Sequence, residues 1–193
     1  MEKTDIKSMN MEELTEYIIS LGEKKFRAKQ IYGWIHVKHV ESFEEMTNIS
    51  KKFIEKLSAE AEIVFVKKEE VQISKIDGTR KYLFSLDDGN VIESVLMKYK
   101  HGNSVCISSQ VGCRMGCRFC ASTLDGLVRG LRPSEMIDQI YQIGKDIGER
   151  ISNVVVMGTG EPLDNYDNLL RFIELLTDEN GINISQRNLT VST

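Results

Sequence analysis

Three cysteines, Cys113, Cys117 and Cys120, fall within eight residues of the stretch SSQVGCRMGCRFCASTLDG, and a fourth, Cys106, lies seven residues before the first. In a reducing compartment thiols this close are metal ligands or redox groups, because structural disulfides are rare there. Zinc sites usually combine two Cys-x2-Cys pairs, or one such pair with two histidines. His36, His39 and His101 stand at no zinc-finger spacing from these thiols. Three thiolates can instead hold three irons of a cubane iron–sulfur cluster and leave the fourth iron open, and an open iron is where a reaction cofactor can bind. The bland alternative is three buried or incidental cysteines, which this spacing disfavours.

A second candidate is MGTGEPL, which follows the apolar run VVVM. Gly158 and Gly160 sit where backbone must approach a ligand closely, and Glu161 can meet a cationic group. Alone, such a turn carries no function; after an apolar strand and beside a cysteine triad it gains weight.

The elements that must position these residues are readable from periodicity. Leu14, Tyr17, Ile18 and Leu21, and later Ile49, Phe53 and Leu57, recur at helical spacing, so residues 1–60 form a small helical module. Residues 61–100 alternate and are β-rich, with Asp77-Gly78 and Asp88-Gly89 as turns, which predicts three or four antiparallel strands. Residues 101–193 read strand, cysteine loop, helix, strand, helix, strand. Pro133 opens the first of these helices, Asp164 or Asn165 is expected to cap the second, and VVVM is a covered parallel strand. The fold class is α/β with an α+β N-terminal part. The last strand stops at Thr193, too early for a closed barrel.

Composition is that of a globular chain: 193 residues, 41% hydrophobic, 28% charged and a net charge of −4. No signal-peptide h-region and no run of 18 apolar residues is present, so the expectation is a cytoplasmic protein with no membrane partner. Charge is segregated. Residues 23–39 hold Lys24, Lys25, Arg27, Lys29 and Lys38 around Phe26, Tyr32 and Trp34, a face suited to RNA backbone or simply to solvent.

CRMGCRFC, with Phe119 as the aromatic, resembles the radical S-adenosylmethionine superfamily signature, and GTGEP resembles its glycine-rich strand-end motif. Together with DGTRKYLFSLDDGNVIESVLM, CISSQVGCRMGCRFCAST and VVVMGTGEPLDNYDNL, nearly the whole chain resembles the dual-specificity methyltransferases that methylate adenine C2 in 23S rRNA and tRNA. The resemblance implies the first part of a partial (βα)6 barrel, truncated, behind a helical RNA-binding domain and a β subdomain. It implies a [4Fe-4S] cluster on Cys113, Cys117 and Cys120, with S-adenosylmethionine contacted by Gly160, Glu161 and Ser192. Glu93 is then the general base, and Cys106 resolves a protein–RNA adduct by forming a disulfide with a methyl-carrying cysteine. Partners implied are 23S rRNA, tRNA and an electron donor such as flavodoxin or ferredoxin, with the enzyme a monomer.

The family's chemistry matches the problem that adenine C2 poses. That carbon is electron-poor and bears no acidic proton, so polar methyl transfer fails and a radical route is needed. By resemblance, one S-adenosylmethionine methylates a cysteine, and a second, cleaved reductively, yields the radical that activates that methyl group. The departure is that no cysteine follows Cys120. The expectation is therefore an N-terminal fragment inactive alone. The alternative is a non-catalytic RNA-binding module with an iron–sulfur or zinc site.

Overall fold

The computed structural model describes residues 3–100 and 102–193; Met1, Glu2 and His101 lie outside the described residues. The chain opens with a short strand, β1 (Thr4–Asp5), a 3-10 turn at Ile6–Ser8, and helices α1 (Met11–Ser20), α2 (Phe26–His36) and α3 (Lys51–Glu60). A capping box starts α1: Glu13 N–H donates to the Asn10 side chain at 2.9 Å, and Asn10 N–H donates back to the Glu13 carboxylate at 3.1 Å. Ala28, Ile31, Tyr32 and Ile35 form the buried stripe of α2. Tyr32 therefore does not belong to the exposed basic face. Its ring lies in the core and its hydroxyl donates to Asp178 at 2.8 Å.

Next come β2 (Ala61–Glu62), β3 (Lys67–Ile73), β4 (Arg80–Ser85), β5 (Val91–Tyr99), β6 (Gly102–Ile107), and the short pair β7 (Gln110–Gly112) and β8 (Leu127–Gly130). Helix α4 (Pro133–Ile147), β9 (Ile151–Val156), a 3-10 turn at Pro162–Asn165, α5 (Tyr166–Thr177) and β10 (Leu189–Val191) complete the order. One six-stranded sheet runs β10-β9-β6-β5-β4-β3. Its β3–β6 part is an antiparallel meander and its β6, β9 and β10 strands are parallel. Strand β6 thus joins two kinds of sheet.

Helices α4 and α5 cover one face of the parallel part. Met136, Ile140, Ile143, Leu169, Phe172 and Leu176 pack with Val105, Ile107, Val154 and Val156, all buried. The period-2 alternation sends Val95, Cys106, Val155 and Thr190 to the other, less covered face, where register places them side by side across four strands.

The N-terminal helices are fastened to this layer through a buried ion pair. Lys7 Nζ donates to the Val64 carbonyl at 2.8 Å and to Asp138 on α4 at 2.5 Å, and Asp138 also accepts from Val66 N–H at 2.8 Å and Gln142 at 3.1 Å.

Neither expected cap of α5 works as a cap. Asn165 occupies the position, but its amide reaches away to the carbonyls of Ser109 at 2.9 Å and Leu131 at 2.8 Å. Asp164 is taken by Arg114 and Gln110. Both side chains serve long-range contacts that outweigh a local one. Pro133 does stand in the first turn of α4.

Candidate functional site

The carboxyl ends of β6, β9 and β10 point the same way, and in open parallel sheets ligands bind just beyond such ends. Immediately past them lie Ser108–Cys113, Gly158–Glu161 and Ser192. Ser108, fully buried, stitches the ends together: its hydroxyl donates to the Glu93 carbonyl at 2.7 Å and accepts from Thr159 N–H at 3.0 Å. Gln139 of α4 closes both backbone groups of Ser108, at 2.9 and 3.1 Å.

The glycines of the β9 end are required by this crossing. A Cβ on Gly158 would stand 2.7 Å from the Ile107 carbonyl oxygen. Gly160 has φ +108°, and a Cβ there would stand 2.6 Å from Gln110 Cβ. Glu161, half-buried, accepts from Leu163 N–H at 3.0 Å, which turns its carboxylate toward the start of the 162–165 turn.

The cysteine loop hangs from the β7–β8 hairpin. Cys113 is buried, and its N–H donates to Gly126 at 3.0 Å; Cys120 is half-buried and Cys117 exposed. Met115 from this loop lines a cavity of about 300 Å³ together with Glu161, Leu163, Asp164 and Thr193. Phe119 is almost fully exposed at 94%.

The donor set suits an iron–sulfur cluster: three free thiols on one loop, whose Met115 reaches a surface pocket with a carboxylate wall. Among the described residues no three Cys, His, Asp or Glu side chains converge as a finished metal-binding group. The loop therefore supplies the ligands without presenting them as a closed cage.

Cys106, two positions upstream of Ser108 on β6, is half-buried. Burial pushes its thiol pKa up, partly offset by a hydrogen bond from the Met157 backbone. The expected disulfide is not formed: all four cysteines are free, and no cysteine follows Cys120 to serve as partner.

Glu93 sits on β5 opposite Leu83 and accepts from Lys81 at 2.9 Å, both side chains being about half exposed. Ser192 follows β10, its N–H bonded to the Val156 carbonyl at 3.2 Å. Glu93 and Cys106 thus lie on the interior strands β5 and β6, Gly160, Glu161 and Ser192 follow the carboxyl ends of β9 and β10, and the three thiols sit on the loop after β7.

Sequence reasoning missed Gln110, Arg114, Asp164 and Asn165 as site-building residues. A lone polar residue carries no periodic signal. The one available hint was that SSQ is a fully polar triplet between apolar β6 and the first thiol.

Along the chain, residues 4–63 match the ribosomal RNA large subunit methyltransferase N-terminal domain and residues 107–193 match the radical SAM superfamily. The "Probable dual-specificity RNA methyltransferase RlmN" of Lachnospira eligens is 68% identical over 189 residues, covering 98% of this chain and 54% of that protein. The chain belongs to the dual-specificity RNA methyltransferase family.

The protein of the same description from Alkaliphilus metalliredigens is 57% identical over 193 residues, covering all of the chain and 54% of its own length. Among solved structures, a radical SAM methyltransferase from Sphaerobacter thermophilus superposes with a TM-score of 0.90 at 34% identity, over 98% of this chain and 57% of that one. The chain spans about half the length of the family members it matches. The strand-end region described above falls within the radical SAM match, apart from Cys106, which immediately precedes it, and Glu93, which lies on the preceding strand β5.

Proposed function

We propose that the protein to which this chain belongs is a radical S-adenosylmethionine methyltransferase that methylates C2 of adenosine in 23S rRNA and tRNA through a methylcysteine intermediate. The observation that carries the proposal is a shared surface depression: Met115 of the cysteine loop and Glu161 of the strand-end motif, 46 residues apart in sequence, line one shallow, open space of about 300 Å³. Reductive cleavage of S-adenosylmethionine is the chemistry that a bound [4Fe-4S] cluster supplies.

In this reading Cys113, Cys117 and Cys120 hold the cluster, and the Gly160 backbone and the Glu161 carboxylate hold the amino-acid end of the cofactor. Ser192 contacts the cofactor from the neighbouring strand end. Glu93 takes the C2 proton; its half-exposed position on the open face gives a large substrate access to it. Cys106 lies on that same face. Burial raises its thiol pKa.

Residues 1–60 form the RNA-binding domain and residues 61–100 the β subdomain, while residues 101–193 begin the barrel. Lys38 lies 3.4 Å over the Trp34 ring and Arg27 5.0 Å over Phe26, so aromatic and cationic groups alternate on the outer face as RNA contact requires. Among the described residues no helix is long and apolar enough to cross a membrane. The enzyme is read as a cytoplasmic monomer reduced by flavodoxin or ferredoxin.

The test is anaerobic reconstitution of the full-length protein with iron and sulfide, followed by electron paramagnetic resonance with and without S-adenosylmethionine. A cubane signal that shifts on addition of the cofactor is expected, and alanine at Cys113, Cys117 or Cys120 abolishes it. Tight zinc in place of iron, or a full cluster in any of the three variants, defeats the assignment.

A further inference from the structure

The cysteine loop and the β9-end motif must stand at a fixed distance if a cofactor held by one is to reach a metal held by the other. Three polar side chains outside both ligand sets make that connection. Arg114, directly after the first thiol, lays its guanidinium along Asp164, with Nε 2.9 Å from Oδ2 and Nη2 2.5 Å from Oδ1. The same carboxylate accepts from Gln110 Nε2 at 3.0 Å. Gln110, fully buried, uses its oxygen to accept from Glu161 N–H at 2.8 Å. A continuous run of hydrogen bonds therefore leads from the loop, through Asp164 and Gln110, to the backbone of Glu161.

The geometry of that run is restrictive. Two parallel N–H···O bonds between planar groups fix direction as well as distance. Asp164 is the anchored half, its side chain 14% exposed against 62% for Arg114. The Arg114 guanidinium, then the Gln110 amide, hold its carboxyl below the usual carboxylate range. Among the described residues, the other hydrogen bonds of the 113–120 stretch stay inside the hairpin: Cys113 to Gly126, Cys120 to Cys117, and Thr123 to the carbonyls of Cys117 and Cys120. Arg114 is thus the side chain that ties the loop to the strand-end segment. Met115, beside it, is the loop's contribution to the shared cavity.

We propose that Arg114, Asp164 and Gln110 are positioning residues forming a latch that sets where the three-thiol loop stands relative to Glu161, and hence how well S-adenosylmethionine is bound. The proposal rests on the reading of the site given above. It assigns these residues no contact with the metal. The latch acts on cofactor affinity and loop order, not on cluster content.

The experiment uses the full-length protein with Arg114→Ala, Asp164→Ala, the double variant and Arg114→Lys. Three quantities are read: iron per chain after anaerobic reconstitution, the S-adenosylmethionine titration of the resonance signal, and amide hydrogen exchange of residues 113–120 without cofactor. Iron content is expected to be unchanged. The cofactor dissociation constant is expected to rise about tenfold in each alanine variant, with no further rise in the double, and lysine is expected to restore part of it. Loop amides are expected to exchange faster in the alanine variants. Wild-type cofactor affinity in Arg114→Ala, losses that add in the double variant, or loss of iron would each overturn the latch. If the wild-type protein itself takes no cluster or ignores the cofactor, the reading of the site fails. Loop exchange then decides the latch alone, and unchanged exchange in Arg114→Ala overturns it.

Discussion

Replacing Lys7 with methionine keeps most of the side chain's bulk and removes one buried charge. Lys7 and Asp138 are 1% and 2% exposed, so neither charge is screened by water. Without the ammonium, Asp138 keeps Val66 N–H and Gln142 Nε2 as donors, but the Val64 carbonyl and one carboxylate oxygen lose their partner. Breaking a buried pair from one side costs roughly 3–5 kcal/mol, and the two remaining donors place this site near 3. With a urea m-value of about 2 kcal/mol/M, the midpoint of unfolding followed by circular dichroism falls by about 1.5 M. Lys7→Met/Asp138→Asn, which removes both charges and leaves an acceptor for Val66, costs less than the sum of the two single variants. A midpoint shift below about 0.5 M at neutral pH, or additive losses, would refute the reasoning.

Three further outcomes are expected. His36, enclosed by Tyr32, Tyr141, Lys7 and His39, is held at about 3, first by burial and then by Lys7 and His39. The fold therefore favours its neutral form. That contribution is whole above pH 6.5 and is lost as pH falls toward 3, at up to about 1.4 kcal/mol per pH unit. His36→Gln flattens the slope of urea midpoints between pH 7.5 and 5, leaving the part due to His39, which burial lowers to about 4; an unchanged slope contradicts the assignment. Gly160→Ala places a Cβ against Gln110 at positive φ and is expected to cost roughly 1–3 kcal/mol, so an unaltered melting temperature would show that the crossing is not tight. In the full-length enzyme Cys106→Ala is expected to accumulate a covalent protein–RNA adduct on denaturing gels, and normal turnover by that variant removes its role.

Periodicity made much of the secondary structure legible. The stripe Met136, Ile140, Ile143 marked α4, and VVV marked the parallel strand β9, although Val155 lies on its less covered face and Met157 falls outside the strand and is exposed. The α2 stripe was also present: Ile31, Tyr32 and Ile35 share one face, and reading Tyr32 for its aromatic ring rather than its register put it on the wrong side. What the sequence hid was long-range polar pairing. Asn165 and Asp164 have ideal capping chemistry, yet Ser109, Leu131, Arg114 and Gln110 claim them from 34 to 56 residues away. Lys7 and Asp138, 131 residues apart, have no local signature at all. Of the candidate site, the thiols, the glycines and Glu161 are singled out by their spacing in the sequence. The residues that join them are not.

Because β6 pairs on one side with its neighbour in sequence, β5, and on the other with β9 about fifty residues later, its two edges are completed at different times during synthesis. The meander edge closes as soon as β6 emerges. The parallel edge waits for the cysteine loop, α4 and β9 to be made, a delay of several seconds at about 5–20 residues per second. During that interval the three thiols are already synthesised, while the Gly158–Glu161 segment beyond β9 is not. The loop that carries the three thiols therefore emerges before the strand end it will stand beside.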